Sequence, residues 1–216
     1  GKESKGILVT STKPVTIHLA THISSGRYGN LPPDASISRP LTETSTEYFL
    51  AGYHRYWTGS DDKPMSFYMI VAAEDATQVD IHYPDSVPME DQHVRLSKHA
   101  VFTKDVSYDD DTKAGIDFTG TRVVSNKPVS VFSGNGLALL NAQGGNTFSK
   151  YLCESMPSLD DLGTEYTSFP IHYGGDGGYE VRVIAVVNET GVSIPAFSTG
   201  LTLNMGEYYV VNNTVT

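Results

Sequence analysis

The sequence has one cysteine, Cys153, among its 216 residues, so no disulfide can form within the chain. Its stability must therefore come from a packed core. A hydrophobic fraction of 39% at this length is enough to bury such a core, in one large domain or two small ones.

Positive charge is also scarce, with 15 lysines and arginines against 25 aspartates and glutamates and a formal net charge of -10. The basic residues are scattered singly along the sequence. A phosphate-binding surface needs clustered positive charge. We therefore expect no nucleic acid among the partners.

Long apolar runs and helical periodicity are missing as well. The longest apolar run, which includes "YMIVAA" (Tyr68–Ala73), falls far short of the ~20 residues that span a bilayer, so we expect no membrane insertion. The N-terminus "GKESKG" has no apolar signal core, which leaves a removed signal peptide and an internal piece of a longer chain both open. Without a convincing 3.6-residue apolar period, and with plentiful valine, threonine and tyrosine, the chain is predicted to be all-β.

What the sequence contains instead is repetition. "GILVTSTKPVTI" (Gly6–Ile17), here called the N-terminal copy, aligns with "GTRVVSNKPVSV" (Gly120–Val131), the central copy. A second pair consists of "IVAAEDATQVDI" (Ile70–Ile81) and "VIAVVNETGVSI" (Val183–Ile194). These matches predict two tandem repeats of roughly 110 residues, divided into residues 1–112 and 113–216.

Each predicted repeat contains two polar tetrapeptides between β-rich flanks, "STKP" and "EDAT" in the first, "SNKP" and "NETG" in the second. We interpret them as hairpin turns, which gives two four-stranded antiparallel meanders per repeat. The alternation predicts that Val15 and Ile17 share a sheet face, as do Val129 and Val131. We favour meanders packed as β-sandwich-like units, with the blades of a β-propeller as the alternative.

Three stretches carry a family resemblance: "GTRVVSNKPVSVFSGN", "CESMPSLDDLGTEYTSFPI" and "VRVIAVVNETGVSI". Together they resemble the N-terminal domain of the IgGFc-binding protein family, and "ILVTSTKPVTI", "TEYF" and "IVAAEDATQVDI" match it more loosely. The resemblance covers nearly the whole length. It implies a secreted or surface-displayed module of mucus, matrix or adhesive proteins, and it does not imply immunoglobulin binding.

Cys153 departs from the family pattern, in which this position is expected to find a disulfide partner. The resemblance therefore implies pairing outside the fragment, an intermolecular bridge or a free thiol. A buried thiol that acts as a small hydrophobic side chain is an equal alternative.

Two Asn-x-Thr sequons, at Asn188 and Asn212, are compatible with secretion and predict N-glycosylation. Asn188 is the stronger candidate because it falls in a predicted hairpin turn.

Catalytic motifs are not found. The seven histidines include no H-E-x-x-H, and "SDDK" (Ser60–Lys63) matches S-x-x-K but lies in a turn-rich stretch without the helix that motif needs. "GGDGGY" (Gly174–Tyr179) joins two predicted strands instead of opening a helix. We therefore predict no enzymatic activity and no cofactor.

Two acidic stretches, "YDDDTK" (Tyr108–Lys113) and "GSDDK" (Gly59–Lys63), lack the alternate spacing of an EF-hand loop. We interpret them as solvated turns and predict no metal ligand.

The stretch "GYHRYWTG" (Gly52–Gly59) contains the only tryptophan and has the composition of a protein-binding hot spot. We predict a partner-binding loop here, with core packing of the aromatic rings as the alternative. Its candidate contact residues are Tyr53, Arg55, Tyr56 and Trp57.

These features favour an extracellular adhesive or structural module of a larger secreted or surface protein. The expected partners are extracellular proteins or glycoproteins, including adjacent modules of the parent chain. A carbohydrate-binding, lectin-like module is the alternative, and a hydrolase is the least favoured class.

Overall fold

A computed structural model describes residues 2–3, 6–21, 24–25, 29–30, 34–53, 66–106, 116–140, 148–168, 178–195 and 199–214. Within these ranges the chain is all-β, with one 3-10 turn at Leu159–Asp161. The strands are β1 (Lys2–Glu3), β2 (Ile17–Thr21), β3 (Ser24–Ser25), β4 (Gly29–Asn30), β5 (Asp34–Ser38), β6 (Glu47–Phe49), β7 (Ser66–Ala72), β8 (Thr77–His82), β9 (Gln92–Leu96), β10 (Val101–Asp105), β11 (Arg122–Ser125), β12 (Val129–Leu140), β13 (Phe148–Ser155), β14 (Gly178–Ile184), β15 (Thr190–Ile194), β16 (Thr199–Leu203) and β17 (Tyr208–Thr214).

Two antiparallel sheets enclose the main core. The five-stranded sheet has the order β1-β10-β7-β12-β13, and the four-stranded sheet has the order β6-β11-β8-β9. Both contribute to a single buried cluster. In it the Tyr68 and Phe118 rings pack edge to face, with their centroids 5.0 Å apart. The strands alternate between buried and exposed residues, as in β8, because one face of each sheet packs on the other sheet.

The polar tetrapeptides reverse the chain, but the prediction that they are hairpin turns is wrong. "EDAT" joins β7 to β8 and "SNKP" joins β11 to β12, and in both cases the two strands belong to different sheets. "NETG" joins β14 to β15, which are not paired with each other either. Each of these three tetrapeptides is therefore a corner between unpaired strands, whereas "STKP" has no strand directly before it. Ala76 and Glu189 hold φ values of 54° and 58°, so equivalent corner positions have the same left-handed backbone.

β12 lies between β7 and β13, and β11 lies between β6 and β8. As a result Val129 and Val131 are fully buried, which stabilises the fold by about 1.5–3 kcal/mol per side chain. The Tyr48 hydroxyl donates to the carbonyl of Val129 at 2.5 Å, and this bond ties β6 across the core to β12. Both sheets contain strands from either side of residue 112, so the pairing does not confirm two separately packed repeats.

One arrangement of four strands occurs twice. β7 pairs with β10 while β8 pairs with β9, and likewise β14 pairs with β17 while β15 pairs with β16. Equivalent loops make equivalent bonds: the His99 amide donates to the Ala72 carbonyl at 2.8 Å, and the Gly206 amide donates to the Ala185 carbonyl at 2.9 Å.

The N-terminal copy differs from the prediction. Residues 6–16 form no strand, Val15 is 63% exposed, and β2 begins at Ile17 and pairs with β5. The expected shared face of Val15 and Ile17 is therefore wrong, because in the described part of the chain no strand lies beside Val15.

Candidate protein-binding surface

Four strand ends meet at one end of the five-stranded sheet. β7 begins at Ser66, opposite Asn135 of β12, and β10 ends at Asp105, opposite Phe67. The far end of β12 and the start of β13 lie on the same side, where Leu140 faces Phe148. Ser66, Asp105, Leu140 and Phe148, which lie next to or near segments 54–65, 107–115 and 141–147 in the sequence, are therefore all at this end of the sheet.

Tyr53 is the last described residue before segment 54–65, and it is fixed from two sides. Its side chain is buried, and its ring lies 4.7 Å from the guanidinium carbon of Arg182. Its carbonyl oxygen accepts a hydrogen bond from Asn135 Nδ2 at 3.1 Å. The starting point of the segment is thus held rigidly.

Arg182 of β14 forms the densest polar network in the described residues. Its Nη1 donates to Asp117 Oδ2 at 2.5 Å, to Thr119 Oγ1 at 2.9 Å and to the Gly52 carbonyl at 2.9 Å. Its Nε donates to Glu180 Oε1 at 2.5 Å. We call Arg182, Asp117, Glu180 and Thr119 the arginine junction. It connects β14 to the residues that follow β6 and to those that precede β11.

The arginine junction holds β14, Gly52 and Tyr53 in fixed positions through charged groups. Burial alone would lower the pKa of Arg182, but the carboxylates of Asp117 and Glu180 outweigh it and raise the pKa. Burial, followed by the charge of Glu180, raises the pKa of Tyr53 above its ordinary value. The guanidinium therefore stays charged and the phenol of Tyr53 stays neutral at physiological pH.

Sequence analysis did not identify the arginine junction. The available signal was Arg182 itself, a charged side chain inside the otherwise apolar stretch "VRVIAVV". A charge in such a strand needs buried partners. Glu180 is two residues away, but the other partner, Asp117, is distant in sequence.

Of the four residues predicted to contact a partner, the structure describes Tyr53. Arg55, Tyr56 and Trp57 lie outside the described residues, as do the two acidic stretches and "SDDK". Tyr53 is a buried anchor at the base of the segment and not an exposed contact.

The two sequons occupy different settings. Asn188 is exposed in the corner between β14 and β15, where its Oδ1 accepts the Met205 amide at 3.0 Å. That bond uses Oδ1 and does not involve Nδ2, the atom to which an N-glycan attaches. Asn212 lies within β17, opposite Glu180. Glycosylation of either stays a prediction.

Cys153 is half-buried in β13 and has no disulfide partner in the described chain. Burial raises the pKa of its thiol to about 11, with smaller contributions from neighbouring charges. Its backbone N–H donates to Asp34 Oδ2 at 2.6 Å, which links β13 to β5. A bridge to another chain stays a prediction.

Two His–Asp pairs that the sequence analysis did not identify lie on the exposed face of the four-stranded sheet. His82 Nδ1 is 2.7 Å from Asp91 Oδ2, and His93 Nδ1 is 2.6 Å from Asp80 Oδ1. The hydrogen bond from His82, with that from the Tyr83 amide, lowers the pKa of Asp91. These pairs join neighbouring strands across an open surface.

Within the described ranges, no three His, Cys, Asp or Glu side chains form a group that could hold a metal ion. No helix in the same ranges is long and apolar enough to cross a membrane.

Comparison with curated proteins and with solved structures gives no significant match. The family model described as IgGFc binding protein matches residues 34–216, well over half of the chain. This range contains the four-stranded sheet, all of the five-stranded sheet except β1, the arginine junction and the whole of β14–β17. The chain belongs to the IgGFc-binding protein family.

Proposed function

We propose that this chain is an extracellular protein-binding module of a larger secreted or surface protein. Its contact surface is the end of the five-stranded sheet where segments 54–65, 107–115 and 141–147 connect. The observation that supports the proposal is the strand register, which places described residues flanking these three segments at one end of the sheet.

Recognition by loops on a rigid sheet is a common solution because loops change sequence freely while the sheet keeps its shape. Segment 54–65 contains Arg55, Tyr56 and Trp57, the residue types that dominate binding energies in protein interfaces. Its base is fixed by Tyr53 and the arginine junction. A fixed base reduces the conformational entropy lost on binding.

The family description supports a protein partner, and the Fc part of immunoglobulin is therefore one probe. Mucus and matrix glycoproteins are the second, because adhesion to such material is the role that we propose for the parent protein.

The test is the double substitution Arg55→Ala with Trp57→Ala, measured by surface binding to immobilised mucin, matrix extract and immunoglobulin Fc. We expect binding to fall by roughly tenfold or more, as for a hot-spot pair, with an unchanged Tm. The control replaces Lys98 and Tyr166, which are exposed and lie outside the three segments, by alanine.

A large fall in Tm would show that Arg55 and Trp57 belong to the core and would move the contact surface elsewhere. Mucin whose glycans have been oxidised with periodate separates the two binding classes. Retained binding supports a protein contact, whereas its loss supports a lectin-like module.

The proposed extracellular location can be tested separately, through glycosylation of Asn188. We expect protein from a eukaryotic native source to lose mass on glycosidase treatment, read by intact-mass spectrometry. An unchanged mass would remove this support for secretion.

A further inference from the structure

The second four-strand arrangement lacks the neighbours that complete the first. In the main core, β12 adds to β7 and β11 adds to β8. In the described part of the chain, the equivalent strands β14 and β15 pair with β17 and β16 alone. Each therefore presents one open edge.

The partial exposure of the inward-facing residues of β15 is consistent with the absence of a neighbouring strand on its open edge. Thr77, Val79 and Ile81 of β8 are fully buried. Their equivalents in β15, at positions 190, 192 and 194, are half-exposed. The apolar face of the second arrangement is thus partly open to solvent.

The N-terminal copy is complementary to these open edges. Its residues 6–16 include exposed apolar side chains, and in the described part of the chain no strand pairs with them. Ile7, Leu8, Val9 and Val15 are each more than half exposed. Val9 and Val15 are the sequence equivalents of Val123 and Val129, which pair with β8 and β7.

The turn of the N-terminal copy already has the geometry of the central copy. Ser11 Oγ donates to the Lys13 carbonyl at 2.7 Å, and Ser125 Oγ donates to the Lys127 carbonyl at the same 2.7 Å. Docking would therefore need no rebuilding of the corner.

The two copies also start from equivalent places. Gly6 donates its amide to the His99 carbonyl, in the loop before β10. A Cβ at Gly6 would collide with that carbonyl, and a Cβ at Gly120 would collide with the carbonyl of Gly206, in the equivalent loop before β17. From Gly120 the chain enters the sheets of the first arrangement, so by the same relation the chain from Gly6 leads toward the second.

We propose that residues 8–20 dock in the same chain along the open edges of β14 and β15, as β11 and β12 dock along β8 and β7. In the equivalent register Val15 lies opposite Ala185. On the other edge, Val9 lies opposite Ile194. The docked state buries the apolar residues of both partners and closes both edges.

Charge supports the same register. Lys127 of the central copy donates from Nζ to the Asp75 carbonyl at 2.6 Å and lies 3.6 Å from Glu74. Lys13 is its equivalent, and the corner that it would reach carries the exposed carboxylate of Glu189.

The occupant is the same chain because the N-terminal copy is covalently tethered to the chain that carries the two open edges. Gly6 is fixed on the His99 carbonyl, and the strand that pairs with β2 is held to β13 through Asp34. Such a tether gives an effective concentration in about the millimolar range, which a second copy reaches only in very concentrated solution.

The test is a disulfide trap. Thr10 and Ser193 are exposed, and in the proposed register they are direct antiparallel neighbours with Cα atoms within the distance that a disulfide needs. Thr10→Cys and Ser193→Cys are introduced together with Cys153→Ser, and the full chain is oxidised at low concentration. We expect an intrachain disulfide in a monomer, mapped by mass spectrometry.

The matched control moves one cysteine by a single residue, to Val192→Cys, which points to the other face. We expect it to cross-link about tenfold more slowly, since the two thiols are separated by the sheet. Adding Val9→Asp to the trap should slow its closure to a similar extent, because docking would bury a charge.

Three results would overturn the proposal. A disulfide-linked dimer would make a second copy the occupant, and an absence of cross-linking would mean that the edges stay open. Equal rates for the trap and its controls would show that closure does not depend on the register. None of these results bears on binding through segment 54–65.

Discussion

The central copy and the N-terminal copy share a sequence pattern and occupy opposite environments. In the central copy, β11 and β12 each lie between two other strands, and Val129 is fully buried. In the N-terminal copy, Ile7 is 90% exposed. Yet the serine–lysine bond at the corner has the same length in both. Local sequence thus determines the shape of the corner, whereas burial of its flanks depends on the strands that are brought beside it.

The arginine junction holds the residues that lead into the central copy, so its loss should have the largest effect. We expect Arg182→Met to lower the free energy of unfolding by about 3 kcal/mol, because Asp117 and Glu180 would be left nearly buried and unpaired. Urea unfolding measures it. Arg122→Met breaks the more exposed pair with Glu47 and should cost about 1 kcal/mol or less. Equal losses would contradict the role of the junction.

The two copies can be compared directly by removing the same methyl groups from each. We expect Val129→Ala to lower the opening free energy of the β7 and β8 amides by about 2 kcal/mol, from lost burial and a residual cavity. Val15→Ala should change it by less than about 0.5 kcal/mol, because this side chain lies outside the main core. Hydrogen exchange gives both values. A similar loss for Val15 would mean that the N-terminal copy supports the main core.

Cys153 tests the link between β13 and β5. Because burial raises its thiol pKa from 9.0 to about 11, we expect alkylation at pH 8 to be more than about tenfold slower in the folded than in the unfolded chain. The stabilisation that belongs to the protonated thiol is fully present below pH 9 and is lost as the pH rises through about 11. Labelling rates against pH measure the shift.

Asp34→Asn is the accompanying variant, because the Asp34 carboxylate is one of the charges that raise the pKa of Cys153. We expect the midpoint of labelling to move to lower pH. An unchanged midpoint would show that burial acts alone.

The smallest effect concerns the corner lysines. Lys127→Met removes a hydrogen bond to Asp75 and a long ion pair with Glu74, and we expect a loss of about 0.5 kcal/mol. Lys13→Met, its equivalent, should leave the main unfolding transition unchanged. Thermal melts of both variants in low and high salt distinguish them. Salt screens the ion pair of Lys127, so the effect of Lys127→Met on Tm should shrink at high salt.

The sequence was sufficient for the all-β class, the family and the positions of chain reversal. It was not sufficient for the pairing. "EDAT" and "SNKP" have the composition of turns, and turn composition specifies that the chain reverses without specifying whether the next strand joins the same sheet or the opposite one. The choice follows from which apolar faces meet, and that depends on β12 reaching β7 across a long stretch of sequence.

The candidate surface was predictable to a similar degree. The aromatic and basic composition of segment 54–65 is visible in the sequence, and Tyr53 lies at its base. That the described ends of β7, β10, β12 and β13 lie together is a product of register, and the Arg182–Asp117 pair joins residues far apart in the chain. Neither can be derived from local propensity.

The insertion of β11–β13 beside β7 and β8 has a consequence for synthesis. A ribosome that has synthesised β6–β10 has made strands whose inner edges have no partners until β12 is complete, about 35 residues after β10 ends, a delay of about 2–7 s at ordinary elongation rates. During that interval the apolar faces of β7 and β8 are exposed to solvent in the nascent chain. The order in which the strands are made therefore creates a period in which the nascent chain needs protection from aggregation, and it ends when the central copy emerges.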